Sequence, residues 1–234
     1  MKWFTNFLTS SIGQKVIMSL SGLFLITFLV VHLTGNLQLL MQDGGKQFNI
    51  YAKFMTTNPL IKTTSYLLYA SILIHAIQGI ALAVKNRKAR GGSRYAKNVT
   101  KAVGTNAFAA KYMALFGIII FIFIGLHLYQ FWLQMKLGNV AYLNYDGKEV
   151  KDLYTLVAGA YENPVFVAVY VVSMIVIGFH LLHGFQSAFQ TLGLNHKKYT
   201  PLIKGVGLVY SIAVPALFAI IPLSMHFGWN LSFL

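Results

Sequence analysis

Five apolar stretches, each long enough to cross a hydrocarbon core as a helix, leave this 234-residue chain little choice of fold. A bilayer core of ~30 Å needs about 20 helical residues. The stretches run over roughly 12–41, 60–84, 108–136, 163–192 and 202–227. In lipid each backbone N–H and C=O must be bonded within its own segment, so apolar runs of this length are read as helices. Composition supports the same reading, with 56% hydrophobic and only 10% charged residues, against about 25% charged in soluble domains. The expected architecture is an all-α integral membrane protein, one transmembrane domain over residues 1–234, with no water-soluble domain and no secretory signal. The chain has no cysteine. That excludes a disulfide scaffold, a thiolate zinc site, covalently attached haem and a cysteine-ligated iron–sulfur cluster.

Prolines mark where spans begin. Asn58-Pro59, Asn163-Pro164 and Thr200-Pro201 each place an N-capping residue type before a proline at the first helical position, where the missing N–H is harmless. Pro215 and Pro222 fall inside the fifth span and are expected to bend it.

The charges orient the spans. Thirteen of the 19 basic residues fall on one side: Lys2, Lys15, Lys85, Arg87, Lys88, Arg90, Arg94, Lys97, Lys101, Lys111, Lys197, Lys198 and Lys204. All five acids, Asp43, Asp146, Glu149, Asp152 and Glu162, fall on the other. By the positive-inside rule the N-terminus is cytoplasmic and the C-terminus outside. The net charge of +14 therefore reports orientation and gives no reason to expect nucleic acid as a partner. The basic segment over 85–111 also offers a docking face to an acidic patch on a soluble partner.

Ionisable residues within a membrane are costly and mark functional positions. Here they are histidines: His32, His75, His127, and the pair His180 and His183. At ~1.5 Å per residue, His32 lies ~25 Å beyond Lys15 and His127 ~24 Å beyond Lys111, which places both at one outer level. By the same measure His75 is ~15 Å from Lys85 and His180 ~18 Å from the inner end of its span, which defines an inner level. Two levels, each with two histidines on non-adjacent helices, form two stacked bis-imidazole sites in a four-helix bundle. Zinc would want four ligands at one level, whereas haem b takes two axial nitrogens and no covalent attachment. Gly79 and Gly184 lie one turn from His75 and His180, and Gly35 and Gly125 lie near His32 and His127, leaving room for a flat macrocycle. His183 sits on a neighbouring face and is the weaker candidate for the fourth ligand. His196, in a cytoplasmic loop, and His226, at the outer boundary, are expected to be surface residues.

The segment Ser21-Gly22-Leu23-Phe24 through His32-Leu33-Thr34-Gly35-Asn36, together with Phe179-His180-Leu181-Leu182-His183-Gly184-Phe185-Gln186-Ser187-Ala188-Phe189, resembles the cytochrome b558 subunit of bacterial succinate dehydrogenases. That five-helix, two-haem membrane anchor is shared with a class of quinol:fumarate reductases. The resemblance covers nearly the whole chain and implies a multi-pass subunit of the bacterial inner membrane. It pairs the first helix with the third and the second with the fourth, and it selects His180 over His183. It also implies a flavoprotein and an iron–sulfur subunit as partners, besides membrane lipid, and a quinone substrate, menaquinone by the family's habit. Some of these relatives carry a glutamate two residues before the fourth ligand; here that residue is Gly178, so a proton path of that kind is not expected. A basic residue they use near the inner propionates aligns with Thr191. Ser19 matches the family at the propionates, and Lys15 and Lys111, which start helices on the inner side, are further candidates.

The resemblance puts quinone chemistry near the outer level. Gln130 and Gln134 follow His127 by three and seven, and Asn36 follows His32 by four, so all three share a ligand's helix face. Tyr129 and Trp132 offer flat apolar walls, and Asp43 in the outer loop is a candidate for proton exchange with solvent. The residues alone leave two other readings open. One is a haem-free helical anchor or transporter; the other is the cytochrome b anchor of a hydrogenase or formate dehydrogenase.

Overall fold

The computed structural model describes residues 2–90 and 107–229. Arg94, Lys97 and Lys101 of the basic segment lie outside the described residues. Nine α-helices are assigned there. They are α1 (Lys2–Thr9), α2 (Ser11–Leu37), α3 (Lys46–Thr57), α4 (Pro59–Arg90), α5 (Ala107–His127), α6 (Gln134–Leu137), α7 (Leu153–Tyr161), α8 (Pro164–Thr191) and α9 (Thr200–Phe227). Two strands, β1 (Tyr142–Tyr145) and β2 (Lys148–Lys151), join α6 to α7.

Five membrane-length helical runs match the five apolar stretches, over Ser11–Leu40, Pro59–Ala89, Phe108–Leu137, Pro164–Thr191 and Thr200–Phe227. The chain is an all-α, multi-pass membrane protein. Two of the three expected proline caps form. Asn58 Oδ1 accepts from the N–H of Leu60 and of Ile61, and Asn163 Oδ1 accepts from that of Val165 at 2.9 Å. The third differs. Thr200 is already helical, and its hydroxyl turns back to donate to Asn195 Oδ1 and accept from the His196 N–H.

Around the bundle α2 packs on α4 and α8, and α5 packs on α8 and α4. The ring order is therefore α2–α4–α5–α8. The two diagonals, α2 with α5 and α4 with α8, make almost no close backbone approach. Helix α9 lies outside this ring, against α8 and α2. The Tyr210 hydroxyl of α9 donates to the Ile26 carbonyl of α2 at 2.6 Å, which ties the fifth span to the first. Pro215 and Pro222 are both buried in α9, which runs through them without a break. Pro215 has no N–H for the carbonyl four residues earlier, that of Ser211. This oxygen faces Gly178 so closely that a Cβ there would stand 3.1 Å from it. The small residue at 178 thus serves the α8–α9 contact.

At the end carrying the acids, α3, the hairpin and α7 form a cap. Asp146 (φ 53°) and Gly147 (φ 80°) make the turn between β1 and β2, the Asp-Gly pairing that suits a two-residue hairpin. The cap is held by Asn49, which is 1% exposed. Its Oδ1 accepts from the N–H groups of Leu153 and Tyr154, and its Nδ2 donates to Asp152 Oδ1. Gly45 leaves space for the Tyr154 ring. An apolar core of Leu33, Leu39, Val157, Tyr161, Val167, Tyr170, Val214 and Ile221 gathers beneath.

Candidate functional site

Each diagonal of the ring carries one histidine pair. His32 on α2 faces His127 at the end of α5, with ring centroids 5.7 Å apart and planes at 84°. His75 on α4 faces His180 on α8 at 6.2 Å and 65°. Two imidazoles bonded to one ion from opposite sides, at ~2.0 Å per bond, put their centroids ~6 Å apart. Among the described residues no three His, Asp or Glu side chains converge, so each level offers two nitrogens and not a tetrahedral set.

The space around the pairs is uneven. A Cβ on Gly22 would come 3.3 Å from the His75 ring, and one on Gly117 would stand 3.9 Å from the His180 ring, so both glycines lie beside the inner pair. Gly125 and Gly184 have open space beside them, whereas Gly79 is in ordinary contact with Met18. Gly35 has a different task from the one its spacing suggested. A Cβ there would run into the Tyr51 ring of α3, so the glycine lets the cap seat against α2.

Each ring's second nitrogen meets a different environment. His75 Nδ1 lies 3.2 Å from the Ser21 hydroxyl, and His127 Nδ1 lies 3.3 Å from the Tyr170 hydroxyl. His32 Nδ1 lies 3.2 Å from the Asn36 amide nitrogen, which also donates to the His32 carbonyl at 2.7 Å. His180 Nδ1 is buried with no hydrogen-bond partner, and so is Gln78 Oε1, one turn from His75. His183 faces no other histidine in a ring pair; its Nε2 lies 3.0 Å from the Ser187 hydroxyl, and its Nδ1 is buried without a partner.

The residues expected at the outer level separate into two sets. Asn36 sits on His32, and Gln130 Oε1 accepts from the Tyr170 hydroxyl at 2.8 Å, two bonds from His127. The others are engaged elsewhere. Both Asp43 carboxylate oxygens accept from backbone N–H groups, those of Gly45 and Gln47, at the start of α3. The Gln134 amide donates to the Tyr129 carbonyl and accepts from Asn139. Tyr129 is 62% exposed, and the Trp132 indole donates to the Tyr69 hydroxyl at 2.9 Å. For Tyr129, Trp132 and Gln134 the reason is a π-helical stretch, Leu128–Leu133, directly after His127. The wider turn changes the face presented by each later residue, so α-helical spacing from His127 no longer holds. At the basic end, Ser19 is buried and donates to the Lys15 carbonyl at 2.9 Å, while Lys15 is exposed. The exposed Lys111 lies over the Tyr112 ring.

Sequence reasoning missed Tyr170, Ser21 and Tyr69. A tyrosine inside an apolar span was the available signal for Tyr170. Nothing local marks Ser21, whose relation to His75 is wholly between helices. His226 also departs from expectation, because its Nδ1 lies 2.8 Å from the Tyr161 carbonyl and joins α9 to the cap. Burial raises the Tyr161 hydroxyl above its ordinary range, so it stays protonated beneath the cap.

The chain is similar to the succinate dehydrogenase cytochrome b558 subunit of Bacillus subtilis (strain 168). The two are 24% identical over 208 residues, covering 86% of this chain and 90% of that protein. No family model matches the chain. No solved structure matches it either.

Proposed function

We infer that this chain is the membrane-anchoring cytochrome b subunit of a succinate:quinone oxidoreductase, which holds two haems b and exchanges electrons between an iron–sulfur subunit and a membrane quinone. The observation that carries this reading is the placement of two facing histidine pairs on the two diagonals of one helix ring. A relative named as a cytochrome b558 subunit supports it independently. His32 and His127 would hold the outer haem, and His75 and His180 the inner one. The separation of the facing rings, with Gly22 beside His75 and Gly117 beside His180, suits such a group. When bound, haem iron supplies a one-electron couple whose potential the protein tunes through ligands, hydrogen bonds and burial.

The rest falls to the chain's own side chains. Phe123, Phe131 and Tyr170 pack their rings against His127, with Tyr161 behind Phe131 and Tyr170, and keep water from it. Asn36 and Gln130 lie beside the outer pair, where amide groups suit the carbonyl oxygens of a quinone such as menaquinone. The exposed Arg87 and Lys88 at the end of α4 offer positive charge to the iron–sulfur subunit, with a flavoprotein beyond it. Ser19, Lys15 and Lys111 remain the candidates for the inner propionates, and the basic end is taken as cytoplasmic. The test is the reduced-minus-oxidised spectrum of the purified protein together with its co-purifying subunits. A b-type band with succinate-oxidising partners is expected; a colourless preparation from haem-sufficient cells would favour the haem-free anchor.

A further inference from the structure

We propose that Tyr170 and Ser21 are positioning residues that fix which nitrogen of His127 and of His75 faces the opposite ring, one hydroxyl at each level. The argument follows the protons. The Tyr170 hydroxyl donates to Gln130 Oε1 at 2.8 Å, and an amide oxygen only accepts. Having given up its proton there, the Tyr170 oxygen meets His127 Nδ1, at 3.3 Å, as an acceptor. The Ser21 hydroxyl donates to the Ile17 carbonyl at 2.8 Å, with the Met18 carbonyl at 3.1 Å, and meets His75 Nδ1, at 3.2 Å, in the same way; the Met18 backbone is a second hydrogen-bond partner of the His75 ring. In both rings Nδ1 therefore carries the hydrogen and Nε2 keeps its lone pair, the state in which an imidazole binds a metal.

The facing rings have no such anchor. His180 Nδ1 has no partner, and His32 Nδ1 meets the amide nitrogen of Asn36, a donor. Each pair thus has one ring whose Nδ1 meets a hydroxyl on a neighbouring helix and one whose Nδ1 meets no acceptor. A hydrogen bond accepted from Nδ1–H makes the opposite nitrogen a stronger electron donor. Stronger donation favours the oxidised metal, so Tyr170 and Ser21 each lower the potential of one level.

This rests on the haem reading above, and the experiment separates the two. In the assembled membrane complex, Tyr170→Phe, Ser21→Ala and Ser21→Thr are compared with the unmodified protein by redox titration of the b-type absorbance and by electron paramagnetic resonance of the ferric form. Tyr170→Phe is expected to raise the potential and shift the resonance of one haem only, Ser21→Ala those of the other only, and Ser21→Thr is expected to restore the original values. Loss of one haem in Tyr170→Phe with the second retained also supports the proposal. If Tyr170→Phe does not assemble, the two Ser21 variants decide it. Both haems present at unchanged potentials in Tyr170→Phe and Ser21→Ala would overturn it. Absence of haem from the unmodified complex would instead overturn the functional reading.

Discussion

His75 and His180 face each other at 6.2 Å across two helices that hardly approach one another elsewhere. Two imidazole rings opposed at that separation can share one ion between them, which is what a two-ligand site requires.

Removal of one ring should therefore empty one level and spare the other. His32→Ala and His127→Ala are each expected to halve the haem content by abolishing the same spectral component. His75→Ala and His180→Ala should abolish the second component. His183→Ala should keep both, because its ring is paired with Ser187 and not with a facing histidine. Haem extraction and low-temperature spectra of each variant check this, and loss of a haem in His183→Ala alone would reassign the fourth ligand.

The quinone assignment narrows to the two residues that lie beside the outer pair. Asn36→Leu and Gln130→Leu are each expected to lower quinone turnover about tenfold, the usual worth of one hydrogen bond to a bound group. Succinate oxidation by an artificial acceptor should remain intact. Replacing Asp43 or Gln134 by Ala should leave quinone affinity unchanged, since those groups are engaged with local backbone and loop partners.

The exposed ends of Arg87 and Lys88 give the docking idea a measurable form. Arg87→Gln with Lys88→Gln should weaken attachment of the iron–sulfur subunit about two- to tenfold, the range for two solvent-exposed charges. The effect should shrink as salt rises. Lys85 is a poorer target, because its ammonium already donates to Gln14 Oε1 at 2.7 Å. Detergent pull-down over a salt series reads the outcome; equal retention at every salt concentration would exclude these two charges from the interface.

Asn49→Ala should loosen the outer cap by about 2–3 kcal/mol, the cost of leaving buried backbone donors unpaired. Two N–H groups, those of Leu153 and Tyr154, lose their acceptor at once. Faster proteolysis within 138–163, with the haem content of the inner level unchanged, is the expected sign.

The sequence by itself determined the spans, two of their proline caps and the levels of the histidines. All of these follow from the chain's local geometry: a fixed rise per residue turns residue number into depth, and an asparagine before a proline acts on its own next turn. The Asp146-Gly147 turn belongs to the same legible class, since an Asp-Gly pair favours a two-residue hairpin by its own backbone geometry. The tertiary structure decided what no local rule contains. It set the ring order that puts the histidine pairs on diagonals, and it brought Tyr170 to His127 and Ser21 to His75. It placed Asn49 under α7 and made Gly35 a seat for Tyr51. Only the packed chain shows the π turn after His127, which redirects Gln134 to Asn139 although α-helical spacing aligned it with the histidine. Helix faces are periodic and readable, but which neighbour meets each face depends on contacts between residues far apart in the chain.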